Sequence, residues 1–335
     1  MEAAGISLAL VVGLIVIALA FDFMNGFHDA ANAISTVVST GVLKPYQAVI
    51  LAAFFNFLAV FVFHLSVATT VGKGIVEQGV VDHYVVFGAL VGAITWNVIT
   101  WYYGIPSSSS HALIGGIVGA GVAKAGTWVL LPAGILKTVA FIFISPLIGF
   151  VLSSVLVVAI SWLFVRSTPS RVDRLFRRLQ LVSSSMYSLG HGGNDAQKTI
   201  GIIWMLLIAA GLTGAKDPVP GWVVVACYVT IGLGTMFGGW RIVKTMGQRI
   251  TKIRPVGGFC AELSGSVALF IATAFGIPVS TTHTITGSVV GVGSVQSVSA
   301  VRWGVAGNLV WAWVLTIPCS AFVAGLAWWL GRQLF

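Results

Sequence analysis

The sequence predicts an all-α polytopic membrane protein made of two inverted-topology repeats with broken or re-entrant helices. Three observations carry that expectation. Of the 335 residues 57% are hydrophobic and only 8% charged. The apolar residues gather in about ten runs, each near the length of one bilayer crossing. Two polar motifs each occur twice, in the same order. Soluble domains carry roughly a quarter charged residues, so this composition leaves almost nothing for a domain outside the membrane.

The net charge of +9 would attract nucleic acid only if the basic residues shared one solvated face. Here they sit in short loops between apolar runs, which orients a chain in a bilayer and leaves no nucleic-acid partner. Cys227, Cys260 and Cys319 are far apart without CxxC spacing, so they read as small core residues and predict neither structural metal nor disulfide. The apolar start, 6 to 21, lacks a basic flank and reads as a retained span.

The segment Asn25 to Ile34 is mirrored by His191 to Ile200, which aligns Asp29 with Asp195, 166 residues on. Gly104 to His111 is mirrored by Gly276 to His283, 172 residues on. The halves are therefore 1–165 and 179–335, separated by an Arg-rich cytoplasmic linker, 166–178, the most polar stretch in the chain. Crossings are expected at 6–42, 46–71, 83–103, 105–124 and 138–165, then at 179–213, 221–240, 256–276, 277–296 and 304–331.

Alternate loops then hold twelve of the 18 Lys and Arg residues, among them Lys44, the five linker Arg, the run Arg241 to Arg254, and Arg302. The positive-inside rule makes that side cytoplasmic and puts both termini outside. An odd number of crossings per half turns the second half upside down relative to the first. The segments 6–42 and 179–213 exceed a simple span and carry Gly and polar residues at their middles, which predicts a break in each.

Asp29 and Asp195 lie inside apolar runs, where a carboxylate is costly and usually marks an ion pathway. Around them stand Asn25, His28 and Asn32 in one half and Asn194, Gln197, Lys198 and Thr199 in the other. Carboxylate and amide oxygens suit a hard cation such as Na⁺, and a carboxylate can equally carry a proton. His28 and Asn194 occupy equivalent positions, so the halves differ chemically; the imidazole either titrates or only donates a hydrogen bond. Lys198 either neutralises Asp195 or attracts an anion.

Ser107, Ser108, Ser109 and Ser110, and likewise Ser280, Thr281 and Thr282, follow a Gly-Ile-Pro element and precede a Gly-rich run. Proline followed by hydroxyl residues is the pattern of a capped helix start. Free N–H groups and the positive dipole end make such a start an anion site. Two of them, one from each half, would surround a tetrahedral oxyanion. His111 and His283 close these motifs as secondary candidates, and Glu262, near the start of a span, is another. Asp22 is weaker, and His64 reads as a core residue. Ser107 to Ser110 with His111 also raise a membrane-embedded hydrolase, which requires a base held by a third group; the duplication favours binding, so no enzyme is expected.

The stretches at 27 to 33 and 192 to 201, with the paired Pro-Ser-Ser-Ser-Ser-His and Pro-Val-Ser-Thr-Thr-His runs, resemble the inorganic phosphate transporter (PiT) family of the bacterial low-affinity type, over nearly the whole chain. The resemblance implies a symporter with re-entrant hairpins, a homodimer of the inner membrane, taking up inorganic phosphate with Na⁺ or H⁺ and no cofactor. It also implies that Asp29, Asn32, Asn194 and Asp195 lie at cation or proton sites, with the hairpin hydroxyls and Gln197 holding phosphate. Some members of the family look like sulfate permeases, the alternative within this class. Sodium-coupled members carry Asn before the first Asp, whereas His28 resembles proton-coupled bacterial members that carry neutral metal-phosphate, which favours H⁺. The linker is short where many relatives have a large central loop.

Overall fold

The computed structural model describes residues 7–334. Those residues form twelve α-helices and no sheet, in an order that repeats. The first half runs α1 (Leu8–Ser39), α2 (Pro45–Leu58), α3 (Ser66–Lys73), α4 (His83–Tyr103), α5 (Ser109–Ala125) and α6 (Pro132–Leu163). The second runs α7 (Pro169–Ala209), α8 (Gly221–Phe237), α9 (Trp240–Lys244), α10 (Pro255–Ala274), α11 (Thr281–Gln296) and α12 (Trp303–Leu334). Both chain termini lie outside the described residues, so the expected sidedness of the ends is not addressed by the fold.

Five helices, α1, α4, α6, α10 and α12, are each long and apolar enough to cross a bilayer, and two bent pairs raise the number to seven. Outward faces are apolar, with Phe143, Leu147 and Val155 exposed on α6 and Trp311, Phe322 and Trp329 on α12. That is the surface expected against lipid.

Both halves use the same punctuation. α1 and α7 end at Gly41 and Gly211, and α4 and α10 end at Gly104 and Gly276, all four at positive φ between 63° and 69°. There a residue with Cβ would be strained and glycine is not. Behind each, an amide reaches back five residues, as from Ile105 to Thr100 at 2.8 Å and from Ile277 to Ala272 at 2.8 Å. This is the glycine stop that ends a helix abruptly. α6 and α12 both carry an interior proline, Pro146 and Pro318, again 172 residues apart.

Three expectations need correction. The long segments do not break at their polar middles: α1 and α7 run unbroken through 32 and 41 residues. Their mid-helix glycines serve close packing instead, since a Cβ on Gly26 would lie 2.2 Å from the Ile231 carbonyl and one on Gly192 would lie 2.4 Å from that of Asn56. The breaks fall between α2 and α3, bent by 83°, and between α8 and α9, bent by 61°, where Gly238 takes φ 63°. His64 is exposed at the first of these breaks rather than in a core.

The segments 105–124 and 277–296 are not simple crossings either. α5 and α11 have 17 and 16 residues, about 25 Å of helix, against a ~30 Å hydrocarbon layer. Each is preceded by an extended Gly-Ile-Pro stretch and begins in the protein interior. The Arg-rich stretch from 166 to 178, expected as a linker, is helical from Pro169 onward as the start of α7.

The halves interlock. α5 packs on α12 and α11 on α6, while α1 lies against α8 and α7 against α2 and α3. Contact is made by backbone: a Cβ on Gly119 of α5 would sit 2.0 Å from the Ala321 carbonyl of α12. Gly119→Ala should therefore lower thermal stability by about 2 kcal/mol or more, the scale of overpacking a close contact. Gly13→Ala, with nothing within 4 Å of the added carbon, should melt as the parent does in the same detergent.

Candidate functional site

The starts of α5 and α11 meet at the centre of the molecule. Ser108 and Ser280 cap them, their hydroxyls accepting from the His111 and His283 amides at 3.2 Å each. Side-chain caps of this kind satisfy one of the free N–H groups and leave the rest of the first turn pointing forward. The two starts touch directly, for the Thr282 hydroxyl donates to the Ser107 carbonyl at 2.9 Å. Just behind them the His111 and His283 rings approach edge to face at 4.8 Å between centroids, and Trp313 stacks on His283 at 3.9 Å.

α1 and α7 carry the carboxylates to this junction. Asp29, His191 and Asp195 present ligand atoms within 4.8 Å of one another, so the two repeat-equivalent aspartates converge on one point. Helical periodicity explains His191: four residues before Asp195, it lies on the same face, its Nε2 3.3 Å from Asp195 Oδ2. Its Nδ1 is 3.1 Å from Asn56 Oδ1, and the Asn56 amide donates to Thr235 at 2.8 Å.

Asp195 is tied to both helix starts. The Thr281 hydroxyl donates to Oδ2 at 3.2 Å and the Ser110 hydroxyl lies 3.5 Å from Oδ1. Lys198, one turn on, donates to Oδ1 at 2.5 Å, to the Val279 carbonyl at 2.8 Å, and to the Ser110 hydroxyl. Lys198 is thus paired with Asp195 within one helix turn.

In the first half Asn32 donates to the hydroxyls of Thr281 and Thr282 at 3.2 and 2.9 Å. His28 Nδ1 is 2.7 Å from Asp29 Oδ1 and its Nε2 is 3.0 Å from the Thr100 hydroxyl, to which Ser107 also donates, at 2.9 Å. A polar chain thus runs from Asp29 through His28 and Thr100 to the start of α5. Asn194, at the equivalent position, instead donates to Thr273 at 2.9 Å and to the Ile277 carbonyl at 3.2 Å, which anchors the turn leading into α11.

Two candidates sit apart. The Gln197 carbonyl oxygen accepts from the amides of Val67 and Ala68 at 2.9 and 3.3 Å, so this side chain caps α3 rather than facing the hydroxyl cluster. Glu262, expected near an interface, is fully buried and takes donors from Thr36 at 2.5 Å, Ser183 at 2.6 Å and Gln180 at 3.1 Å. Asn25 is buried with neither amide atom partnered, and Asp22 accepts from Thr199 at 2.6 Å. Neither ring nitrogen of His111 has a hydrogen-bond partner among the described residues.

Sequence reasoning passed over His191, Tyr187, Thr100 and Asn56. Tyr187 donates to the Thr281 carbonyl at 2.8 Å and steadies the start of α11. The spacing of four from Tyr187 to His191 and from His191 to Asp195 on α7 was the available signal; Thr100 and Asn56 come from other helices and leave none. Every predicted site residue, from Asn25 to His283, is at most 2% exposed. The junction is closed to water on all sides, which makes each unpaired charge expensive. Asp195→Asn, leaving Lys198 charged, should cost about 3–5 kcal/mol of stability. Adding Lys198→Met should recover most of that loss in the same melting assay.

The family profile described as "Phosphate transporter family" matches residues 25–324. The chain is 60% identical over 325 residues, 97% of each protein, to a probable low-affinity inorganic phosphate transporter of Rhizobium meliloti. It is 46% identical over 332 residues to one so named from Bacillus subtilis, covering 98% of this chain and 99% of the relative. Among solved structures it is similar to "The sodium-dependent phosphate transporter", with TM-score 0.89 and 24% identity over 98% of this chain and all of the other; at that identity the likeness is one of fold.

Proposed function

The chain belongs to the phosphate transporter family, and from that premise we propose that it is a secondary active transporter importing inorganic phosphate, free or as metal-phosphate, by symport with H⁺ in preference to Na⁺. The observation that carries the reading is the contact of two capped helix starts beside two converging aspartates, all buried. Helix starts supply N–H groups and positive potential to an oxyanion, and carboxylates supply the site for a coupling cation.

In this reading Ser107 to Ser110, Ser280, Thr281 and Thr282 hold phosphate. The Ser109 hydroxyl, buried without a partner, is a donor in waiting. Gln197 joins them only if it lets go of α3. Asp29, Asn32, Asn194 and Asp195, with Asn25 and His28, carry the cation or proton. Proton coupling is supported by the His28 ring, whose two nitrogens bridge Asp29 to the hydroxyl chain at Thr100 and Ser107. An imidazole so placed can take and return a proton, which a Na⁺ ligand has no need to do.

The interlocked packing and repeated glycine stops support two repeats, 1–165 and 179–335, inverted in the inner membrane about a cytoplasmic Arg-rich stretch. Inversion would bring α5 and α11 to the centre from opposite sides, the plan of many secondary transporters. The homodimer comes into this reading from the family resemblance.

Proteoliposomes should accumulate labelled phosphate in Na⁺-free buffer under an inward proton gradient, and a proton ionophore should collapse that uptake. Uptake that resists the ionophore and requires Na⁺ would reverse the coupling assignment. Excess sulfate should compete poorly; displacement by sulfate but not by unlabelled phosphate would move the substrate to sulfate. Asp29→Asn should reduce uptake to background while membrane levels stay near those of the parent.

A further inference from the structure

Lys198 is the one buried Lys or Arg among the described residues, 1% exposed at the heart of the site. Its place in the duplication gives it a meaning beyond pairing with Asp195. Lys198 stands three residues after Asp195 as Asn32 stands three residues after Asp29, and both side chains reach the helix starts: Asn32 touches Thr281 and Thr282, Lys198 touches Ser110. One half therefore uses a neutral amide where the other uses an ammonium.

The surroundings of that ammonium are all oxygen. A carboxylate oxygen of Asp195, a main-chain carbonyl at Val279 and a hydroxyl at Ser110 take its three N–H groups. A lysine has three donors and no more, so none is left to face an anionic substrate. Carboxylate, carbonyl and hydroxyl oxygens converging from three separate segments are also the ligand set that a hard cation selects.

We propose that the Lys198 ammonium is a built-in counter-ion occupying a monovalent-cation site of the second repeat, so that this chain needs no Na⁺ there. The inference rests on the transport reading above and deepens its coupling assignment, because it takes Asp195 out of the set that carries the mobile cation or proton and leaves that task to the Asp29 group. The lysine supplies permanently the charge that a mobile ion would otherwise bring, and it travels with the protein rather than with the substrate. Removing it without filling its volume leaves Asp195 uncompensated in a water-poor site, and an unpaired buried carboxylate draws in a cation.

The test uses the full-length protein purified in detergent and in proteoliposomes. Lys198→Asn installs the residue of the first repeat and opens space for an ion; Lys198→Met fills the space with an apolar chain. Melting is compared in NaCl and choline chloride at one pH, without phosphate. Lys198→Asn should gain several degrees from Na⁺ beyond any gain of the parent, and Lys198→Met should gain no more than the parent. In uptake, the ratio of rates in Na⁺ to choline should rise about tenfold or more for Lys198→Asn, as expected of a bound ion present in large excess.

No Na⁺ gain for Lys198→Asn, an equal gain for Lys198→Met, or failure of Lys198→Asn to fold in either salt would overturn the proposal. Folding in Na⁺ alone would support it. Parental protein that takes up no phosphate would instead refute the transport reading, while the phosphate-free melting result would still decide whether an ion replaces the lysine.

Discussion

The Asp195 carboxylate sits where no water reaches it, and there an unpaired charge costs several kcal/mol, so each neighbour that touches it must be held in position. Lys198 comes from the next turn of α7 and His191 from the previous one, while Ser110 and Thr281 come from two different short helices. The carboxylate can be satisfied only if those two helix starts are brought together. Conversely, the starts bring two positive dipole ends to one place, which is tolerable because negative groups lie between and beside them. Electrostatic compensation and architecture are in this sense one requirement.

Each of the two starts is clamped by a helix of the opposite half. α5 is held from behind by α12, where Trp313 donates to the Pro106 carbonyl at 3.2 Å, and α11 is held by Tyr187 of α7 and by α6, where a Cβ on Gly287 would lie 2.1 Å from the Pro146 carbonyl. Both contacts are built on glycines facing the backbone next to a helix-interior proline. Such contacts leave little slack, since a close-packed interface passes displacement on rather than absorbing it. A shift of α12 therefore moves the start of α5, and with it Ser110 relative to Asp195.

Much of this could be read from the residues before any coordinates. The class was legible from composition, and the four motifs from their recurrence, because the same short pattern written twice is hard to explain as packing alone. Asp29, Asp195 and the hydroxyl runs do come together, and Ser108 and Ser280 do cap their helices as the proline-hydroxyl pattern implies. The breaks were misplaced because a mid-helix glycine is ambiguous: Gly26 and Gly192 admit a neighbouring backbone, whereas Gly41 and Gly104 turn the chain, and only the three-dimensional partner distinguishes these uses. Glu262 was misjudged for a related reason. Its partners Thr36, Gln180 and Ser183 lie 226, 82 and 79 residues away in sequence, so nothing local announced that the carboxylate is caged.

The interlocking of α5 with α12 and of α11 with α6 has a consequence for how the molecule is made. A ribosome delivers α5 and α6 well before α11 and α12; at ordinary elongation speeds the gap is on the order of 10 to 40 s. During that time the glycine-lined flank of α5 has no Ala321 to rest against, and its buried starting turn has no opposing turn. The nascent first half must wait in the bilayer with its seams open, shielded by lipid or by the insertion machinery, until synthesis of the last two helices lets both seams close together.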